Sequence, residues 1–308
     1  MAKPRSAVGD YCIYFIVRAL VHFLQNLPLA TGRTLARALA WLAYRVDRRH
    51  REVALDNLRH AFPNQYTEKQ LQAMVLEVYR HFCMVLIEIV HLPRKLHLHN
   101  WRQFIELPDG PKIVDVLLSG RPALIVTGHF GNWEMAGYML GLLGFQTYAV
   151  ARPLDNPFLD QFLRRFRERT GQKLLAKRGE LDKMQSILDA GSVICTLADQ
   201  DAGRHGLFVD FFGRPASTHK AIALLALQHD ALLVVCGAQR VAEPMQYAIR
   251  VMDVIRPEEY AHTPRAVQAI TQRFTSSLET LVRLDPQQYF WLHRRWKHQP
   301  ERRARKAA

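Results

Sequence analysis

Cysteine is scarce, acidic residues are outnumbered, and no apolar run is both long and free of charge. The four cysteines, Cys12, Cys83, Cys195 and Cys236, lie far apart with no C-x-x-C pair, which excludes a disulfide frame or a zinc ribbon. Cys195 and Cys236 sit in the strand-like runs VICTLAD and LLVVCG, so buried, reduced thiols and a reducing compartment are expected. G-x-S-x-G and H-E-x-x-H are both missing, which removes the α/β-hydrolase nucleophile elbow and the zincin helix. No zinc-finger, RNP or heptad signature occurs, and the basic residues are spread along the chain rather than set on one recognition element. A nucleic-acid-binding protein is therefore the weaker of the readings its charge allows, and a membrane scaffold without activity is a further alternative.

What is present is a 308-residue chain, 49% hydrophobic and 23% charged, long enough to bury a core without staples. Forty-two Lys+Arg against 28 Asp+Glu leave a formal charge of +14. Such an excess calls for an anionic partner: nucleic acid, an anionic membrane surface, or an acidic protein or substrate. Near the N-terminus, residues 11–29 are mostly apolar but carry Arg18, His22, Gln25 and Asn26. These fall at i, i+4, i+7 and i+8, one polar stripe on a greasy helix. The stripe fits a helix lying in a membrane interface, or a short span whose stripe packs on protein. A second apolar segment, 35–46, leads into Arg45, Arg48, Arg49 and Arg51, a cluster suited to anionic head groups. The plainer alternative is a helical hairpin that covers the core.

Thr67 and Gln70 form a capping-box pattern. Apolar residues at 71, 74, 75, 78, 82, 85, 86 and 89 predict a scaffold helix that Pro93 stops. From residue 121 strands and helices alternate. Strands are expected at 123–127, 146–150, 192–198, 232–237 and 247–255, and helices at 135–143, 157–169 and 218–228. This is an α/β fold with a mixed, mostly parallel sheet flanked by helices. The organisation read from the sequence is 1–50 as membrane-associating helices and 51–308 as one α/β domain. The latter divides into a helical scaffold (51–105), a catalytic core (106–297) and a basic tail (298–308). Seven of the last fifteen residues are Lys or Arg.

The densest chemistry is Gly128-His129-Phe130-Gly131-Asn132-Trp133-Glu134, placed where a buried strand ends and a helix begins. In open α/β sheets ligands bind beyond the strand carboxyl ends. A histidine followed five residues later by a carboxylate suits a general base oriented by an acid. Backbone N–H groups at the helix start after Gly131 are candidate oxyanion donors. The pattern alone also fits a structural histidine beside a surface glutamate.

Four segments give the chain a wider resemblance. They are Thr127 to Glu134; Arg152 to Asp160 with Arg167, Arg169 and Gly171; Asp199 to Arg204 running on through Phe208 to Ala216; and Tyr289 to Lys297. In this order the chain resembles the bacterial late acyltransferases of lipid A biosynthesis, relatives of the glycerol-phosphate acyltransferases with their H-x-x-x-x-[D/E] motif. It departs from the family at Thr218-His219-Lys220-Ala221, where a cation stands in place of a Gly-Pro-Ala-like helix start.

The resemblance implies an acyltransferase with a long-chain acyl thioester donor, on acyl carrier protein or coenzyme A, and a glycolipid hydroxyl as acceptor. It implies no cofactor and no metal, and a place on the cytoplasmic face of the inner membrane. His129 would deprotonate the hydroxyl while Glu134 orients it. Asn132, Arg152, Asp199, Asp201 and Arg204 are the candidate substrate-binding residues, Arg152 because a guanidinium fork binds oxyanions. Phe208, Phe211 and Phe212 are expected in the core or along an acyl pocket. The 291–297 block, mixing aromatics and cations, is expected at a membrane interface or in ordinary packing.

Overall fold

The computed structural model describes residues 6–176, 181–242 and 245–300. Four helices lead: α1 (Ala7–Asn26), α2 (Leu29–Val46), α3 (Arg48–Ala61) and α4 (Glu68–Lys95). Next come β1 (Ile105–Glu106), α5 (Gly110–Leu118), β2 (Ala123–Thr127), α6 (Trp133–Leu142), β3 (Thr147–Ala151), α7 (Pro157–Glu168) and β4 (Lys173–Ala176). The remainder is α8 (Leu181–Asp189), β5 (Val193–Leu197), β6 (Leu207–Phe211), β7 (Arg214–Thr218), α9 (Ala221–Gln228), β8 (Leu232–Ala242), β9 (Gln246–Ile255) and α10 (Ala266–Leu284).

The sheet has seven strands in the order β1-β9-β8-β2-β5-β3-β4. All neighbours are parallel except β8 and β9, so the α/β expectation is met. β2 (ALIVT) lies at the centre with its first four residues buried, as a strand covered on both faces requires. Its register with β5 sets Thr127 opposite Leu197, and the Ala198 N–H donates to Thr127 O at 2.8 Å. The two chains leaving these strands, at His129 and at Asp199, are therefore neighbours in space.

The capping box of α4 forms as read: Thr67 Oγ1 accepts from Gln70 N–H, and Gln70 Oε1 accepts from Thr67 N–H at 2.8 Å. Pro93 does not end this helix, which continues to Lys95. Leu92 and Leu96, both fully buried, pin the last turn, and the carbonyl a proline leaves unpaired falls near a helix end.

α1 turns an apolar face outward. Tyr11, Ile13, Phe15, Ile16, Leu20 and Phe23 are exposed, whereas only Asp10 and Leu24 are buried. Much of the polar stripe packs on protein: Gln25 Nε2 donates to Val90 O at 2.9 Å, Arg94 Nη1 donates to Gln25 O and Asn26 Oδ1, and Arg18 lies 5.0 Å over the Phe162 ring. Among the described residues α1 is the helix long and apolar enough to cross a membrane. α2 adds exposed Leu39, Trp41, Leu42 and Val46.

The antiparallel β6–β7 hairpin was not foreseen. It turns through Phe212 and Gly213, both at positive φ, and buries Phe211 and Phe212 against Phe62, Trp291 and Trp296. These phenylalanines are core. The 291–297 block is also interior, with Trp291 1%, Arg295 3% and Trp296 6% exposed, so packing rather than a membrane interface explains it. Residues 301–308, most of the expected basic tail, lie outside the described residues.

Candidate functional site

His129 stands in the turn between β2 and α6. Its backbone N–H donates to Asp199 Oδ2 at 2.7 Å, and its ring Nδ1 lies 2.8 Å from Asp199 Oδ1. One carboxylate thus fixes both the main chain and the imidazole. With Nδ1–H donated to Asp199, Nε2 carries the lone pair. It faces Gln200 Nε2 at 3.5 Å and keeps partial access to solvent, the side chain being 20% exposed. Burial of Asp199 opposes its ionisation, but the His129 contacts and the more distant Arg295 outweigh this and hold its carboxyl below the usual range.

Two glycines permit the arrangement. A Cβ on Gly128 would stand 3.1 Å from Asp199 Oδ2. Gly131 has φ +58°, and a Cβ there would come within 1.7 Å of Ala238 O, so only glycine fits.

Glu134 is engaged by a residue of another helix. Its carboxylate, in the first turn of α6, forms a two-pronged ion pair with Arg167 of α7, with Arg167 Nε to Oε2 at 2.9 Å. The carboxylate that hydrogen-bonds the His129 ring is thus Asp199, where the sequence reading expects Glu134. The reason is geometric: His129 precedes the helix, so the five-residue spacing imposes no common face, and α6 directs Glu134 toward α7.

Asn132, expected to bind substrate, is fully buried. It caps α6 by accepting from Met135 N–H at 3.0 Å and reaches Glu88 at 3.4 Å on its other side, which makes it a brace for the turn. The expected oxyanion donors are also largely consumed. Gly131 N–H goes to Gln288 O, Asn132 N–H to Ala238 O, and Met135 N–H to its cap.

Asp201 belongs to an adjoining network, with Oδ2 2.6 Å from His298 Nδ1 and its backbone N–H donated to His293 Nε2. Burial pushes the His293 imidazole down, consistent with a neutral acceptor. Arg152, 80% exposed, has only a 3.4 Å approach to Asp155, and Arg204 sits on an exposed turn. The structure thus brings together His129 and Asp199, sets Glu134 and Asn132 beside them in other partnerships, and leaves Arg152 and Arg204 at the surface.

Beside the histidine lies an apolar cavity. Trp133, whose ring centroid is 4.9 Å from that of His129, forms part of its wall together with Thr127, Ala136, Leu140, Phe145, Ala149, Cys195 and Ile249. Its charged lining residues are Glu134 and Arg167. Cys195 and Cys236 both line it as free thiols, and burial pushes each up to about 12, so neither is a ready nucleophile. Among the described residues no group of three or more His, Cys, Asp or Glu is placed to hold a metal ion.

Sequence reasoning did not assign roles to Arg167, Trp133 or Gln200. The position of Gln200 beside Asp199 was the available signal, since strand-end residues share the crevice.

Comparison with known proteins identifies the family. The chain is 26% identical to the lipid A biosynthesis lauroyltransferase of Escherichia coli K12 over 94% of its own length and 93% of the relative's. It is 26% identical to the lipid A biosynthesis palmitoleoyltransferase of the same organism over 82% and 80%. A phosphatidylinositol mannoside acyltransferase of Mycobacterium tuberculosis is 31% identical over 48% of each chain. The family described as bacterial lipid A biosynthesis acyltransferase matches residues 2–298, nearly the whole length, so the chain belongs to that family and is an acyltransferase.

Proposed function

We propose that this enzyme moves a long-chain acyl group from a thioester, carried on acyl carrier protein or coenzyme A, to a hydroxyl of a glycolipid such as a lipid A precursor. The observation that carries the reading is the His129–Asp199 pair at the mouth of two parallel strands, beside an apolar cavity. His129 Nε2 takes the proton of the acceptor hydroxyl as its oxygen attacks the thioester carbonyl. Asp199 stabilises the imidazolium. The C–S bond then breaks, and the departing thiolate recovers the proton from His129.

The acyl chain lies in the cavity walled by Trp133, Ala136 and Leu140. Glu134 contributes through Arg167, holding that guanidinium at the cavity, where it can face negative charge developing on the thioester oxygen. Asp201 and Arg204 flank the acceptor side, and Arg152 offers an exposed guanidinium to an anionic group.

The apolar outer face of α1 and α2 supports attachment to a membrane, assigned here to the cytoplasmic face of the inner membrane, where thioester donors are available. The positive charge suits an anionic lipid surface and an acidic carrier protein. The test is turnover of labelled acyl-carrier-protein and acyl-coenzyme A thioesters by purified protein with a lipid A precursor. His129→Ala should lower kcat by about 10²–10⁴-fold, the usual worth of general-base assistance, while the circular dichroism stays that of the native fold. A fully active His129→Ala protein refutes the assignment.

A further inference from the structure

A second cavity lies between α2, α4, the end of β8 and residues 285–288. Arg33, Arg37, Arg80 and Arg240 line it against two carboxylates, Glu77 and Asp285. Arg33 and Arg37 are one helical turn apart and project from one side of α2. Arg80 is ion-paired with Glu77, yet its Nε is buried without a hydrogen-bond partner. Arg240 is anchored from behind by the fully buried Glu88. A buried guanidinium N–H lacking an acceptor is costly, and here it accompanies an excess of one positive charge, four guanidiniums against Glu77, Asp285 and the Glu88 behind Arg240. Guanidinium forks converging from three elements match a tetrahedral oxyanion better than a planar carboxylate or an extended polyanion.

The neighbourhood narrows the source of that anion. α2, which supplies two of the four guanidiniums, also carries the exposed Leu39, Trp41, Leu42 and Val46. We propose that this cavity binds the phosphate group of a lipid whose acyl chains lie along α2. Two of its lining residues bond the turn that carries His129: His81 Nε2–H donates to Gly131 O at 3.1 Å, and Gly131 N–H donates to Gln288 O at 3.0 Å. An occupant therefore sits immediately behind the turn that carries His129, at a place separate from the acyl cavity. The inference does not depend on acyl transfer, because binding is measured without a donor.

The experiment is equilibrium dialysis of the full chain in neutral detergent with three probes. These are a short-chain phosphatidic acid, the matching short-chain phosphatidylcholine, and inorganic phosphate. Saturable binding of the phosphatidic acid in preference to the other two is expected. Paired Arg33→Gln and Arg80→Gln substitutions should weaken it by about tenfold or more, as loss of charge-assisted bonds implies. Arg37→Gln alone, at an exposed position and with its thermal melt checked against the parent protein, should weaken it in the same direction. Arg164→Gln, on the surface of α7, should leave it unchanged. Inorganic phosphate bound as tightly as the lipid overturns the lipid assignment. Absence of saturable binding, or binding indifferent to the Arg33, Arg37 and Arg80 substitutions, overturns the site itself.

Discussion

Asp199→Asn is the sharpest probe of the proposed chemistry. The change is nearly isosteric in a side chain only 4% exposed, so the packing around it should survive. What changes is charge and hydrogen-bond character. The carboxylate accepts from both the His129 backbone N–H and ring Nδ1, whereas an amide offers one acceptor and must turn donors toward the other. If its oxygen keeps the backbone bond, its NH₂ meets Nδ1 and favours the tautomer protonated at Nε2, which cannot take a proton. Loss of a hydrogen bond to a charged group costs about 1.5–3 kcal/mol, and each 1.36 kcal/mol is tenfold in rate. On this basis kcat should fall about 10–150-fold, with the wrong tautomer adding to the loss. The assay is steady-state turnover across pH with a thermal melt beside each point. Removing the anion disfavours the imidazolium, so the acidic limb of the kcat/KM profile should also move to lower pH. A well-folded Asp199→Asn enzyme within threefold of wild type at all pH values would refute the His129–Asp199 mechanism.

Three further outcomes follow from the geometry. Glu134→Gln should destabilise the fold by about 3 kcal/mol in urea unfolding, because it strips the partner from a mostly buried Arg167; Arg167→Gln in the same chain should restore part of the loss. His81 is pushed down to about 3 by burial and then by the Arg240 charge, so the unfolded chain binds its proton first as pH falls. Stability should therefore decline by up to about 1.4 kcal/mol per pH unit from this residue between its unfolded pKa, about 6.5, and 3, and His81→Gln should flatten that slope in urea midpoints measured at pH 7 and pH 5. Ala136→Phe, which fills part of the apolar cavity, should shift donor preference in a chain-length series toward shorter acyl groups by about tenfold in relative kcat/KM. An unchanged length profile would place the acyl chain elsewhere.

The order of elements was legible where local chemistry dictates structure. Thr67 and Gln70 announce α4, and the unbroken apolar runs of β2, β5 and β8 announce buried parallel strands. The turn that carries His129 was legible too, since two glycines flank it between a buried strand and a helix. The partner of that histidine was not. Asp199 is 70 residues away, and only the adjacency of β2 and β5 brings it near. Strand order is a tertiary outcome that spacing along the chain does not encode. The β6–β7 hairpin was missed for a different reason. Its turn places Phe212, a bulky residue, at φ +55°, so Gly213 was the only local cue and the burial of Phe211 supplies the rest. The aromatic-and-cation block near 291–297 had the composition of an interfacial belt, yet Arg295 is spent inside the protein on Ser217 O and Thr218 Oγ1.

The sewing of α1 to the rest of the molecule fixes a height. α1 is held to α4 through Gln25 and to α7 through Tyr11, Tyr14 and Asn156, and those same two helices carry His81 and Arg167. If α1 lies in lipid, as proposed, the His129 imidazole, whose turn His81 holds through Gly131 O, would ride at a constant elevation above the bilayer plane, as a stylus on a fixed arm. An alcohol anchored too deep or held too far aloft would then go unmodified whatever its identity, which makes reach a form of selectivity.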